Sequence, residues 1–105
     1  MDQIRVNWHA EIPDPTLIEF LKGFQENRKK EIPLLKRLLE SRDFDGLRKL
    51  GHNWKGFSRP YGYLALEDLG KSLEAAAKEN DLPQCQSLFE QFLNYINEKE
   101  VRLQK

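Results

Sequence analysis

The feature that most constrains the fold is an apolar repeat of three and four residues that runs through the chain after residue 14. Such spacing places side chains on one face of an α-helix, whereas a half-buried strand would alternate every second residue. Strand signals are nearly absent, because β-branched residues are scarce and no Asn-Gly or Asp-Gly turn lies between alternating segments. The sequence therefore predicts an all-α protein.

The first helix is predicted to begin at Asp14-Pro15, because aspartate is a good N-cap residue and proline fits the first helical position. Pro33 interrupts its apolar face, and a proline inside a helix removes a hydrogen bond and crowds the preceding turn. We expect one long helix with a kink at Pro33, or two helices nearly in line. The predicted buried face consists of Leu17, Ile18, Phe20, Leu21, Phe24, Ile32, Leu34, Leu35, Leu38 and Leu39.

Three further helices follow after short breaks. The second is predicted over about residues 44–58, with Asp43 as its cap, and it stops before a turn over residues 59–62. The third covers about residues 64–78. The fourth starts at Pro83 and ends in a charged tail from Asn97. Four amphipathic helices with short connections predict an antiparallel up-down four-helix bundle.

Length and composition indicate a single domain. A chain of 105 residues supports one hydrophobic core and not comfortably two. Hydrophobic residues make up 39% and charged residues 32%, which suits a small bundle with a solvated exterior. We divide the chain into a short irregular N-terminal segment, residues 1–13, and a bundle domain, residues 14–105. Trp8 is expected to plug one end of the bundle.

The balance of basic and acidic residues restricts the kinds of molecule that this protein is expected to bind. Seventeen basic and seventeen acidic residues give no net charge, which argues against a nucleic-acid-binding protein. No segment resembles a signal peptide or is long enough to span a membrane. Cys85 is the single cysteine and cannot form an internal disulfide, so we expect a cytoplasmic protein. Cys85 itself is expected to be buried or half-buried in the fourth helix.

His52 lies opposite the apolar stripe of the second helix when successive residues are placed at about 100°. It is therefore expected to point at solvent or at a partner. Arg48, Lys55 and Arg59 share its face by their spacing. Cations so placed favour the neutral ring and would stabilise an anion bound to it, so a phosphoryl group suits this site better than a metal ion. The opposite, buried stripe consists of Phe44, Leu47, Leu50, Trp54, Phe57 and Tyr61.

Two glycines flank His52 inside the predicted helix. Each costs about 1 kcal/mol relative to alanine, so each needs a reason to be there. Gly51 lies near the edge of the apolar stripe and fits a packing position. Gly56 lies on the exposed side, where packing does not explain it. Its missing side chain leaves room for another protein's active site to reach the imidazole.

A plainer interpretation of the same residues stays open. An exposed histidine on a charged helix is by default a solvated surface residue. Arg48 can pair with Asp45 or Glu40 without any role in binding. His9 precedes the first helix without a matching metal ligand, and we interpret it as structural or exposed.

The histidine helix resembles that of the histidine-containing phosphotransfer (HPt) family. The family's motif is a helical histidine, a lysine three residues later, a glycine four residues later and a second glycine near the helix end. Here those residues are His52, Lys55, Gly56 and Gly62, and the resemblance covers about residues 14–97. The chain departs from the usual pattern in having Trp54 before the lysine, Phe57 before Ser58, and the rigid turn Arg59-Pro60-Tyr61. These departures concern partner specificity more than the chemistry.

The resemblance implies a carrier in a multistep phosphorelay. His52 would accept a phosphoryl group on Nε2 from a receiver-domain phosphoaspartate and pass it to a second receiver. Lys55 would steady the phosphate charge, Gly56 would give access, and Arg48 and Arg59 would contact the partner. The implied partners are response-regulator receiver domains and a hybrid sensor histidine kinase, and neither nucleic acid nor membrane is expected.

The same resemblance implies no cofactor of the chain's own. Mg²⁺ would be supplied by the partner receiver, because the sequence shows no acidic cluster suited to it. No Gly-rich nucleotide loop is present, so the chain is not expected to phosphorylate itself from ATP.

We expect a monomer, since the core stripes leave no extended apolar patch. A start at Met1 and an end soon after the fourth helix suit a free-standing carrier.

Two other classes of function remain as alternatives. One is a non-catalytic helical adaptor or inhibitor that docks on a receiver or histidine kinase without carrying phosphate. The other is a ligand- or metal-binding bundle that uses His52 and His9, although such sites need inward-facing polar residues and His52 is predicted to face outward.

Overall fold

The computed structural model describes residues 3–104, and this part of the chain is helical without strands. Its α-helices are α1 (Leu21–Glu40), α2 (Phe44–Phe57), α3 (Leu64–Lys78) and α4 (Leu82–Leu103). Short 3-10 helices cover Trp8–Ala10, Pro15–Phe20 and Arg59–Tyr61. The predicted all-α four-helix bundle is confirmed. No helix within residues 3–104 is long and apolar enough to cross a membrane.

The division of the chain at residue 14 stays a prediction. The outer ends of its two parts, Met1, Asp2 and Lys105, lie outside the described residues.

Short acidic side chains begin three of the helical elements. Asp43 accepts a hydrogen bond from the Gly46 N–H (2.9 Å) at the start of α2, as predicted. Asp81 caps α4 in the same way by accepting from the Gln84 N–H (3.1 Å). Asp14 caps the 3-10 helix that precedes α1. These caps satisfy backbone N–H groups at the start of each element and mark where it begins.

α1 is one continuous helix through Pro33, so the alternative of two separate helices is wrong, while the kink stays a prediction. Pro33 is exposed, which lets the carbonyl that loses its partner face solvent. The segment before α1 differs from the prediction, because a 3-10 helix advances about 120° per residue. Ile18 and Phe20 are consequently 58% and 53% exposed, and their assignment to the buried face is wrong.

The core is filled by the predicted apolar stripes of α2, α3 and α4. Trp54 is buried and stacks on Phe92 of α4, with ring centroids 4.4 Å apart, while Phe57 packs at the edge of the core. Cys85 is buried as predicted, and this burial raises the pKa of its thiol to about 11. The core residues of α3 and α4 include Leu66, Leu69, Leu73, Ala76, Ala77, Leu88, Phe92 and Ile96.

α4 continues to Leu103, so the predicted fraying from Asn97 is wrong. The charged composition of this segment suggested a solvated tail. Instead, Lys99 is buried, and the Arg102 guanidinium lies 4.2 Å from the centre of the Trp8 ring. Trp8 also stacks on Tyr95 of α4, with ring centroids 5.6 Å apart. Packing by the N-terminal residues therefore supports the last turns of α4.

Residues 3–13, which we call the N-terminal strap, are bound to the bundle through Glu11. Its carboxylate accepts hydrogen bonds from the Ala65 N–H (2.8 Å), the Lys99 ammonium (3.0 Å) and the Tyr95 hydroxyl. Lys99 also donates to the Gly62 carbonyl (2.7 Å). The side chains of Glu11 and Lys99 are only 2% and 5% exposed. A buried ion pair therefore joins the strap, α4 and the connection between α2 and α3.

Several large apolar side chains remain exposed, and the expectation that the chain has no extended apolar patch stays a prediction. That expectation was the reason for predicting a monomer, and the monomer itself stays a prediction. The exposed residues are Ile12, Ile18, Phe20, Val101 and Leu103.

Candidate functional site around His52

A close contact between α2 and α3 determines the geometry of the site. A Cβ atom added at Gly51 would lie 2.7 Å from the Gly70 carbonyl oxygen, and one added at Gly70 would lie 2.6 Å from the Gly51 oxygen. Any side chain at either position would overlap with the opposing backbone. The packing interpretation of Gly51 is confirmed, whereas its partner Gly70 was not recognised from the sequence.

This approach brings Glu74 of α3 against the exposed face of α2. Its Oε2 lies 3.0 Å from His52 Nδ1, and its Oε1 lies 2.6 Å from Lys55 Nζ. The Glu74 side chain is 11% exposed, whereas that of His52 is 62% exposed. One shielded carboxylate thus bridges an exposed imidazole and an ammonium group one turn apart.

Sequence reasoning missed Glu74. Glu74 lies in the sequence between the buried residues Leu73 and Ala76. A carboxylate at the edge of an apolar stripe is the one signal in the sequence that could have indicated this residue. That signal did not tell which residue of α2 it would meet, because the contact depends on how α2 and α3 pack.

The surroundings of His52 therefore differ from the prediction, which placed only cations near the ring. The group bonded to the ring is a carboxylate. Arg48 is paired with Asp45 (2.9 Å), as the plainer interpretation allowed, and Arg59 is paired with Glu67 (2.9 Å). The two arginines lie at opposite ends of the His52 face, and the guanidinium group of each forms an ion pair with its carboxylate.

The hydrogen bonds determine which ring nitrogen carries the proton. The bond from Lys55, aided by that from His52, holds the pKa of Glu74 below its ordinary value of 4.5, although burial acts in the opposite direction. Glu74 is therefore ionised at neutral pH and can only accept hydrogen bonds. His52 Nδ1 must then carry the hydrogen of this bond, which leaves the lone pair of the neutral ring on Nε2.

Gly56 lies one turn beyond His52 on the exposed side of α2. A Cβ atom added there meets no other atom within 4 Å. Packing gives no reason for a glycine at this position, in agreement with the sequence argument. The space next to the imidazole is open from this side.

Gly62 has a structural reason to be glycine. Its φ of 79° lies in the left-handed region, and an added Cβ would lie 2.6 Å from the Pro13 nitrogen of the strap. This glycine ends the connection between α2 and α3 and lets the strap cross it.

The remaining candidate ligands do not join the site. His9 lies exposed in the 3-10 helix Trp8–Ala10, on an element separate from α2 and α3. Among residues 3–104, no group of three or more His, Cys, Asp or Glu side chains could hold a metal ion.

The lowered pKa of Glu74 predicts an acid-sensitive component of stability. A carboxyl whose pKa is lower in the folded state stabilises the fold above its unfolded pKa, and this contribution is lost as the pH falls through the folded value. We expect the free energy of unfolding to fall less steeply between pH 6 and pH 3 in Glu74→Gln than in the unaltered chain, as measured by urea denaturation at each pH. Glu26→Gln, at an exposed position of α1, serves as the control. Equal slopes for Glu74→Gln and the unaltered chain would contradict the prediction.

The fold and the site together define a class of protein: a small helical bundle that presents an exposed imidazole, oriented by a carboxylate of the neighbouring helix. The family model of the Hpt domain matches residues 19–100, and the chain belongs to this family. Hpt domains are phosphotransfer carriers in phosphorelays rather than kinases, and they interact with receiver domains and histidine kinases. No curated protein and no solved structure gives a significant match to the chain.

Proposed function

We propose that this chain is a phosphorelay carrier in which His52 accepts a phosphoryl group from a receiver-domain phosphoaspartate and passes it to a second receiver. The observation that carries the proposal is the hydrogen bond between His52 Nδ1 and Glu74 at the foot of an exposed ring. It leaves Nε2 as the nucleophilic atom and holds the ring in one orientation.

In the forward step, the Nε2 lone pair attacks the phosphorus atom. The N–P bond forms while the P–O bond to the receiver's aspartate breaks, and the aspartate leaves as a carboxylate. The ring keeps its Nδ1 proton and becomes positively charged, which the Glu74 carboxylate offsets. In the return step, the carboxylate of the second receiver attacks phosphorus, and the N–P bond breaks to regenerate the neutral ring.

The other site residues have supporting roles in this proposal. Lys55 would offset the phosphate charge while it holds Glu74 in place. Gly56 would leave room for the receiver, and Arg48 and Arg59 would contact it from the two ends of the face. The chain would need no cofactor of its own, because the Mg²⁺ used in such transfers would be held by the receiver. The setting would be the cytoplasm, with a hybrid sensor kinase upstream.

The test is transfer from a phosphorylated receiver domain to the chain, followed with labelled phosphate. We expect acid-labile, alkali-stable label on the unaltered chain and none on His52→Gln. His9→Gln is the matched control and should take up label normally. If no receiver of the source organism transfers phosphate, or if His52→Gln keeps the label, the proposed carrier role is wrong. Pathway output that survives in His52→Gln would instead favour the adaptor.

Gly56 gives a second prediction, about access. Because its surroundings are open, Gly56→Ala and Gly56→Leu should both fold and should each gain up to about 1 kcal/mol of helix stability. Transfer should slow by at least tenfold in Gly56→Leu and only slightly in Gly56→Ala, because only the longer side chain reaches over the imidazole. Urea denaturation and the transfer rate measure the two effects. Unimpaired transfer in Gly56→Leu would remove the access role.

A further inference from the structure

A shielded ion pair on α1 contacts the core-facing side of α2, the helix that contains His52. Arg28 Nε donates to Glu31 Oε1 (2.6 Å), and the two side chains are 8% and 17% exposed. The Arg28 guanidinium lies between two rings, 4.4 Å from the centre of Phe24 on α1 and 4.5 Å from that of Phe57 on α2. Packing therefore holds Glu31 in place at the boundary between α1 and α2.

The same oxygen of Glu31 accepts a second hydrogen bond, from the indole N–H of Trp54 (3.0 Å). Trp54 is 1% exposed, and a buried indole N–H needs an acceptor inside the protein. Glu31 supplies that acceptor from a different helix. Because Trp54 departs from the usual pattern of the family, the family motif does not account for this contact.

Trp54 also contacts the two remaining helices. Its ring stacks on Phe92 of α4, with ring centroids 4.4 Å apart. Its Cβ lies where α2 and α3 come closest, since a Cβ atom added at Gly70 would lie 2.9 Å from it. Trp54 thus has a partner on each of the other three helices, and these partners fix the rotation of α2 about its axis. His52 lies two residues earlier on the same helix and turns with it.

We infer that Glu31 is a positioning residue for His52 and acts through Trp54. Its hydrogen bond holds α2 at the rotation that keeps Glu74 3.0 Å from the imidazole Nδ1. The inference rests on the proposed function and deepens it, because it assigns a role in the reaction to a residue of α1 that does not touch the imidazole.

The physical reason is the cost of a buried donor without an acceptor. If Glu31 could not accept, the indole N–H of Trp54 would be unsatisfied, and the ring would turn toward another acceptor. Because Trp54 lies against Gly70, that turn shifts α2 relative to α3. His52 Nδ1 then moves away from Glu74, and the neutral ring loses its preference for a lone pair on Nε2.

The experiment measures the tautomer of His52 by imidazole ¹⁵N NMR, with His9→Gln present in every sample so that His52 is the only imidazole. Spectra are recorded at about pH 8, where an imidazole is neutral. In Glu31→Leu, we expect the ratio of the Nδ1–H form to the Nε2–H form to fall about twofold or more. These signals come from folded molecules, so a loss of stability alone would not change them.

Two controls accompany Glu31→Leu. Glu31→Gln keeps an oxygen for the indole N–H and should leave the tautomer ratio unchanged. Glu26→Leu makes the same kind of substitution at an exposed position of α1 and should also leave the ratio unchanged. A fall in either control equal to that in Glu31→Leu would overturn the inference.

Trp54→Phe removes the same hydrogen bond from the donor side and leaves Glu31 paired with Arg28. It decides the question alone if Glu31→Leu, which leaves Arg28 without its carboxylate, does not fold. We expect the tautomer ratio to fall in Trp54→Phe as well. When both variants fold, the double variant should fall no further than the larger single effect, because both changes act on one hydrogen bond. An unchanged ratio in Trp54→Phe, or additive effects in the double variant, would overturn the inference.

Phosphorylation of His52 by phosphoramidate, a small donor that needs no receiver, measures the consequence for the chemistry. Its rate constant should fall about twofold or more in Glu31→Leu and stay unchanged in Glu31→Gln, because fewer rings offer the Nε2 lone pair. An equal rate in Glu31→Leu and the unaltered chain would overturn the role in the reaction. If the unaltered chain takes phosphate from neither phosphoramidate nor a receiver, the proposed function is wrong, while the tautomer ratios still decide whether Glu31 positions the ring.

Discussion

Replacing Glu11 by alanine is expected to lower the free energy of unfolding by about 3–5 kcal/mol, because one partner of a buried ion pair is lost. Lys99 would keep its charge at a site where it is 5% exposed, with the Gly62 carbonyl as its one remaining hydrogen-bond acceptor among the described residues. The Ala65 N–H at the start of α3 and the Tyr95 hydroxyl would also lose their acceptor. Burial already lowers the pKa of Lys99, and Glu11 is the group that opposes this shift. Urea denaturation at pH 7 measures the loss.

Two controls separate the ion pair from a general effect of the substitution. Glu19→Ala removes an exposed carboxylate and should change stability by less than about 0.5 kcal/mol. Glu11→Leu combined with Lys99→Met removes both charges and should lose less stability than Glu11→Ala, since apolar replacements of a buried pair are often tolerated. A loss below about 1 kcal/mol in Glu11→Ala would show that the pair contributes little.

The same prediction tests the proposed division of the chain at residue 14. A chain shortened to residues 14–105 lacks Glu11 together with Trp8, so it should be at least as unstable as Glu11→Ala. A shortened chain as stable as the full chain would support residues 14–105 as an independent domain. The N-terminal strap would then be dispensable for folding.

Introducing leucine at Gly70 is expected to destabilise the fold by about 3 kcal/mol or more, at or beyond the upper end of the usual range for overpacking. The added Cβ would lie 2.6 Å from the Gly51 carbonyl oxygen, which is backbone and cannot rotate away. α2 and α3 would have to separate, and Glu74 would then move away from His52. We therefore expect loss of the His52 Nδ1–H hydrogen bond, measured by imidazole ¹⁵N NMR, alongside the fall in stability.

Gly23→Leu is the matched control for Gly70→Leu. A Cβ atom added at Gly23 meets nothing within 4 Å, so the same change should stabilise α1 by up to about 1 kcal/mol and leave the His52 signals unchanged. If Gly70→Leu keeps both the stability and the Nδ1–H hydrogen bond, close packing of α2 and α3 does not position Glu74.

The sequence was most informative where local chemistry and periodicity act within one helix. The outward orientation of His52 and the open position of Gly56 both follow from angular spacing along α2. The cap at Asp43 follows from the hydrogen-bonding preference of a short carboxylate. Each of these depends on residues only a few positions apart.

Predictions failed where a distant segment packs against a helix, and where the local helix type differs from the α-helix assumed. The charged composition after Asn97 predicted a frayed end, yet α4 continues because Trp8 and Glu11 pack against it. Ile18 and Phe20 were assigned to the core from their spacing, but a 3-10 helix turns them outward.

For this protein, the sequence by itself determined the class of fold, the helix that presents His52 and the face on which it lies, because helical periodicity is a local property. Only the tertiary structure decided which groups surround the ring. Glu74 reaches His52 because two glycines, nineteen positions apart at Gly51 and Gly70, let α2 and α3 pack closely. Contacts of this kind depend on the distance between helices, and no pattern within a single helix carries that information.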